Sequence, residues 1–232
     1  MKVKSIIQIV LAAAILALAW FLYSSIQKPV KFQSEFDARR NACAEKLKAI
    51  RTLEESYKMT YNVYCGSFDT LINRLMNEDS LLITKKTINY DKIPEDVSVN
   101  DMPETEAIKL GYISLEKVFV NPIEQLLEQK KLMVTDPDGA VRPMTKDEIM
   151  NLRYVPFPKG EKNEFELTAG TIESNSFIVP VFECKVPLTV LLSDLDDQLV
   201  RNRIAEIEAI SGKYAGWKVG DMTQAVTEGN FE

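Results

Sequence analysis

The sequence predicts an α+β protein: an N-terminal transmembrane helix, a long helix closed by a helical clasp, then a mostly antiparallel sheet with a packed helix. Three observations carry this prediction. Residues 5–26, SIIQIVLAAAILALAWFLYSSI, are apolar over the length of a bilayer crossing. From about Ser34 to Asn62 neither Gly nor Pro interrupts a stripe of apolar and aromatic residues at helical spacing. Further along, runs rich in Val, Ile and Phe alternate with turn residues. The expected division is an anchor with a short cytoplasmic start (1–28), a juxtamembrane helix and clasp (29–80), and a periplasmic α+β domain (81–232).

Within the apolar segment Gln8 is the one strongly polar residue, and Lys2 and Lys4 precede it. With the amino terminus they favour a cytoplasmic start, and a long trailing domain is exported largely regardless of charge. The expected topology is therefore single-pass in the inner membrane, N-in, with the C-terminal domain periplasmic. Ala17-Leu18-Ala19 fits the small-x-small rule for signal cleavage. Trp20 and Tyr23 carry the apolar run past that point and suit an interfacial belt, which favours a retained anchor. Ile6, Leu11, Ala13, Ala17, Trp20 and Tyr23 are its expected anchor residues, with Ala13 and Ala17 at the spacing of a small-xxx-small contact although lipid-facing alanine is the favoured reading. Pro29 marks where the membrane helix ends or bends.

In the long helix Phe36, Cys43, Leu47, Ile50, Leu53, Tyr57, Tyr61 and Tyr64 recur by threes, fours and sevens, with Ser34 and Asp37 near a capping box at its start. A second coiled-coil seam through Arg40 and Glu54 is half charged, so packing on the chain's own domain is favoured over a coiled coil. Arg51 to Glu55 and Glu54 to Lys58 read as a solvated face. Gly66 is expected to break the helix and Ser67 to cap the next, where Phe68, Leu71, Ile72, Leu75 and Met76 form one apolar face. The candidate partner contacts are Phe36, Tyr57, Tyr61, Tyr64 and Trp217.

The remaining elements follow from local signals. Pro103 to Leu110 reads as a helix stopped by Gly111, 112–120 as a strand ended by Asn121-Pro122, and 123–131 as a short helix. TDPDG (135–139) reads as a turn, its likeness to part of a calcium loop not continued by further ligands. Thr145 to Glu148 is a capping box opening a helix. Strands are expected at LRYVPF (152–157), 165–170, 176–186 with an edge or bulge at Pro180, and 214–220, and a helix over 188–210.

The chain contains no histidine, which excludes histidine-dependent triads and histidine-ligated zinc. A formal charge of −6 argues against a nucleic-acid partner. No cofactor, metal or catalytic residues are expected. The three cysteines, Cys43, Cys65 and Cys184, pose a pairing question. Cys43 and Cys65 are about 22 residues apart along one helix, roughly 33 Å at 1.5 Å per residue, which rules out a bond between them. Cys65 with Cys184 is the pairing to expect if one forms, tying clasp to sheet, and three free buried thiols are the alternative. Asp194, Asp196 and Asp197 suit a helix start, while Glu164, Glu166, Glu173 and Glu183 alternate on strand-like segments and read as a wet face.

The segment LKAIRTLEESYKMTYNVYCGSFDTLINRL (47–75) resembles the region of type II secretion pseudopilins and type IV pilins where a membrane-rooted helix ends in a turn before a short helix. No Gly-Phe-Thr-Leu leader motif and no membrane-embedded Glu accompany it. IRTLEESYKMTYNVYCGSFDTLINRL, TEAIKLGYI, LRYVPF, VPVFE and the ending GWKVGDMTQAVTEGNFE together resemble a family of single-pass envelope proteins of Bacteroidota. The resemblance implies topology and compartment and carries no site residues. The function expected is that of a non-enzymatic scaffold in an envelope secretion or assembly complex, with other envelope proteins or a second copy as partners and the bilayer around its anchor. A periplasmic binding module for a lipid, glycan or peptide, with its groove between sheet and helix 188–210, is the alternative.

Overall fold

A computed structural model describes residues 3–94, 98, 102–136, 138–174, 176–211 and 214–231. It has an α+β architecture built on one helix, α1 (Val3–Tyr61), 59 residues long. Pro29 lies inside α1 and does not end it, contrary to the sequence expectation. A proline removes one backbone bond and crowds the carbonyl four residues back, a local defect in a helix held beyond it by packing. Ser34 is accordingly an interior residue and caps nothing. The helix stops at Asn62, whose φ of 60° turns the chain into the left-handed region that Asn tolerates. Asn62, rather than Gly66, is the breaker.

The clasp then forms as expected: α2 (Phe68–Asn77) buries Phe68, Leu71 and Leu75 against α1. Ser67 occupies the N-cap position, yet its hydroxyl accepts no backbone bond there. Gly66 owes its identity to close approach, because a Cβ at this position would stand 3.1 Å from the Ala169 backbone nitrogen.

Strand β1 (Leu81–Ile88) pairs antiparallel with β2 (Ile113–Val120) as a separate two-stranded ribbon, with α3 (Glu104–Lys109) between them in sequence. Next come α4 (Pro122–Glu128), the short antiparallel pair β3 (Met133–Thr135) and β4 (Val141–Pro143), and α5 (Lys146–Met150). Thr145 and Glu148 form the expected capping box at α5. LRYVPF is not a strand: Asn151–Arg153 is a 3-10 turn, and Tyr154 makes a single bridge to Glu164. Two prolines in its last residues and those just beyond, Pro156 and Pro158, cannot donate to a ladder.

The larger sheet has the order β5–β6–β7, from β5 (Glu166–Ser174), β6 (Phe177–Pro187) and β7 (Gly216–Gly220), all antiparallel. Only Glu183–Pro187 of β6 pairs with β7, so Pro180 sits where β6 has a free edge, which accommodates its missing donor. The segment 188–210 is two helices, α6 (Leu188–Leu191) and α7 (Asp197–Ser211), separated at Leu192–Asp196.

The core follows the apolar stripe. Phe36, Cys43, Leu47, Ile50, Leu53 and Tyr57 of α1 are buried in one cluster with α2, with Ile123, Ile149 and Leu152, with Phe182, Cys184 and Val219 of the sheet, and with Leu188 and Leu191 of α6. The second half of α1 is thus the spine of the head, and its first half is bare. The most apolar 18-residue window of the helix has a mean hydropathy of 1.8 and is 0% buried, so this end of α1 is long and apolar enough to cross a membrane.

Candidate functional site

The buried joint where α1, the clasp turn and the sheet meet is the chemically distinctive place in the head. Glu54, fully buried, accepts a hydrogen bond of 2.8 Å from the Cys65 backbone N–H, and its other carboxyl oxygen has no hydrogen-bond partner. Burial pushes its pKa up to about 8, against the pull of that one backbone donor, so the side chain is a neutral acid at pH 7. The sequence placed Glu54 on a solvated face. The structure corrects this, because α1 is covered from two sides and the return of the chain at Cys65 closes over it.

Two thiols, Cys65 and Cys184, lie near Glu54, and the third, Cys43, is about three turns back along α1. Cys43, Cys65 and Cys184 are buried and free, the reading of three buried thiols rather than of a Cys65–Cys184 bond. The Cys65 thiol is instead turned to its own loop, 3.3 Å from the Ser67 carbonyl. Burial raises the Cys43 thiol to about 12 and moves Cys65 and Cys184 in the same direction, so all three are held as thiols and are poor nucleophiles.

A second joint lies nearer the apolar half of α1. Arg39, 4% exposed, grips Asp194 with both guanidinium NH groups, one of them at 2.8 Å, and donates to the Leu191 carbonyl at 2.9 Å. The hydrogen bonds to Asp194 raise the guanidinium pKa, and Arg39 holds the Asp194 carboxyl below the usual carboxylate range. This clamp ties the α6–α7 connection to the spine. The signal for it was present in the sequence, since Arg39 falls on the apolar stripe between Phe36 and Cys43, where a cation needs a partner. Asp196 has a separate task, accepting from the Gln198 and Leu199 N–H groups to cap α7.

The expected partner contacts are largely internal. Phe36 is buried against Trp217 at 5.9 Å between centroids, and Tyr57 against Tyr61 at 4.4 Å. Tyr61 donates to Glu78 at 2.7 Å, and Tyr64 packs on Phe182 at 4.7 Å. These aromatics fasten α1 to its own clasp and sheet, and two of them, Phe36 and Tyr57, are not available to a partner. Of the anchor residues, Leu11, Ala13, Ala17, Trp20 and Tyr23 are exposed along α1. Ile6 is on the same helix, with its side chain outside what the structure describes.

The acidic strand residues do not converge on a cleft. Glu183 is neutralised by Lys185 at 2.8 Å and Lys218 at 3.1 Å, while Glu164 and Glu166 are half exposed or more. Among the described residues no group of three metal-ligating side chains is assembled. Leu188 and Leu191 of α6 and Val186 of β6 are buried.

Exposed apolar residues are found on two of the strand pairs, among other places. Leu82 and Phe119 face each other across the β1–β2 ribbon, 50% and 65% exposed, and Phe177 and Ile178 open the free end of β6 at 73% and 78%. β6 runs from this end back toward Trp217 and Phe36, so the Phe177 end lies on the side of the head away from the apolar half of α1. Sequence reasoning missed both, because an exposed apolar residue in a strand reads the same as a buried one. Compared with family models, with curated proteins and with solved structures, the chain matches none.

Proposed function

We propose that this protein is a non-enzymatic, inner-membrane-anchored scaffold of a cell-envelope secretion or assembly complex, presenting a periplasmic head to other envelope proteins. The observation that carries this reading is the continuity of α1, whose bare apolar half and buried half form one helix, so that head and anchor share one element. The pilin-like helix, turn and clasp of residues 47–75 support the same reading. Partner contacts are assigned to the exposed apolar residues of these strand pairs, with Phe177 and Ile178 placed to reach away from the membrane.

The test is cross-linking of the full-length protein in native membranes, with partners identified by mass spectrometry, beside a variant carrying Phe177→Asp and Ile178→Asp and one lacking residues 1–30. Partners from one envelope machine that are lost in the double variant are expected. Recovery of only the monomer from wild-type membranes would overturn the proposal.

A further inference from the structure

The groove that opens at the foot of the head is the one feature whose place along α1 says what fills it. Its volume is about 390 Å³, and it lies between Phe21, Ser25 and Lys28 of α1 and Asp196, Gln198 and Leu199 at the start of α7. Phe21 and Ser25 belong to the last turns of the apolar segment 5–26, and Lys28 follows one turn later. On the membrane-anchored reading, on which this inference rests, the start of α7 therefore overhangs the bilayer surface at the level of the lipid headgroups. Lipid is then the material that meets the groove from below.

The lining is graded to match a phospholipid. Phe21 and Leu199 offer an apolar wall on the membrane side, continuous with the bare surface of α1 along which an acyl chain can lie. At the rim the cation of Lys28 faces a groove whose other polar wall holds the Asp196 carboxylate. Asp196 uses one oxygen, Oδ1, for both α7 backbone bonds, which leaves Oδ2 as an acceptor for an ammonium. The neighbouring acid, Asp197, is paired with Arg201, and that guanidinium points along α7. A headgroup carrying phosphate and a primary amine satisfies both walls through charge-assisted hydrogen bonds. A headgroup with phosphate alone leaves Asp196 facing an anion, and a quaternary amine has no N–H to donate.

We infer that this groove binds one zwitterionic phospholipid of the phosphatidylethanolamine type, its phosphate on Lys28, its ammonium on Asp196 and one chain against Phe21 and Leu199. The lipid packs the foot of the head against the bilayer and sets its height above the surface.

Native mass spectrometry of the full chain, released into mild detergent from vesicles of equal phosphatidylethanolamine, phosphatidylglycerol and phosphatidylcholine, tests this. Resistance of the protein to alkaline extraction is measured on the same vesicles. The expected result is an alkali-resistant protein retaining one phosphatidylethanolamine at about tenfold excess over each other lipid. Lys28→Glu, which touches only the exposed face of α1, should abolish the excess, and Lys31→Glu, outside the groove lining, should keep it. An alkali-resistant protein with lipids in bulk proportion, or with phosphatidylglycerol preferred, overturns the inference alone. Release by alkali overturns the membrane reading itself.

Discussion

Replacing Glu54 by Gln is the most searching perturbation of the head, because it separates the carboxyl's hydrogen bond from its ionisation. Below pH 4.5, the usual value for this side chain, folded and unfolded chains both carry the proton and the group is neutral to stability. Above that point the unfolded chain loses a proton that the folded chain keeps until about pH 8. The unfolded state then binds fewer protons, so stability falls as pH rises across the window, at about 1.4 kcal/mol per pH unit. At pH 7, about 2.5 pH units into the window, the deficit is about 3 kcal/mol, and it levels off above pH 8.

The amide introduced by Glu54→Gln would keep an acceptor for the Cys65 N–H and cannot ionise in either state. The difference in unfolding free energy between Glu54→Gln and wild type should therefore grow from near zero at pH 4.5 to about 3 kcal/mol in favour of the variant at pH 7. Glu54→Ala lacks the acceptor and leaves a cavity, and should be destabilised at pH 5 by about 2 kcal/mol or more. Urea unfolding of the full chain in mild detergent, followed by circular dichroism from pH 5 to pH 9, measures all three. Parallel stability curves for Glu54→Gln and wild type would refute the buried neutral acid.

Four further outcomes are expected. Asp194→Ala should cost about 3 kcal/mol and Arg39→Met less, because the first strands a buried cation while the second releases a half-exposed carboxylate to water; urea midpoints compare them. Gly220→Ala should be severe, at least about 3 kcal/mol, since Gly220 has φ 75° and a Cβ there would stand 2.2 Å from the Phe182 carbonyl oxygen, and soluble expression with thermal melting reads it. Thr145→Ala should remove the α5 capping box for about 1 kcal/mol, seen as a lowered melting temperature. Maleimide counting by mass should find no reactive thiol in the native protein and three after denaturation, the free Cys65–Cys184 pair included.

How far the fold was legible depended on whether a residue's neighbours were local. The stripe from Phe36 to Tyr57 and the apolar face of α2 are repeated patterns with one geometric solution, and both form as expected. Thr145 and Glu148 are three residues apart and need nothing distant. Glu54 has a charge pattern that suits solvent, and only the return of the chain 11 residues later turns it inward. Arg39 meets Asp194 across 155 positions, a pairing no window of sequence contains. That pairing also decides why 188–210 is two helices: Asp194 is drawn to α1 and Asp196 starts α7 anew. The candidate contacts failed for a related reason, since Tyr57 and Phe36 have the composition of an interface and the geometry of a core.

An unbroken α1 also makes the head a lever. The stretch from Lys28 to Tyr61 is about 50 Å long at 1.5 Å per residue, and it continues the apolar half as one helix with Pro29 at the join. If the bilayer thins and the span tilts by about 10°, the far end of the helix sweeps sideways by about 9 Å. On the proposed anchoring, rotation of the apolar half about its axis would carry Phe177 and Ile178 around with it. Changes of thickness or lateral pressure in one membrane would, on the same anchoring, be converted into the position and bearing of a surface some tens of ångströms away.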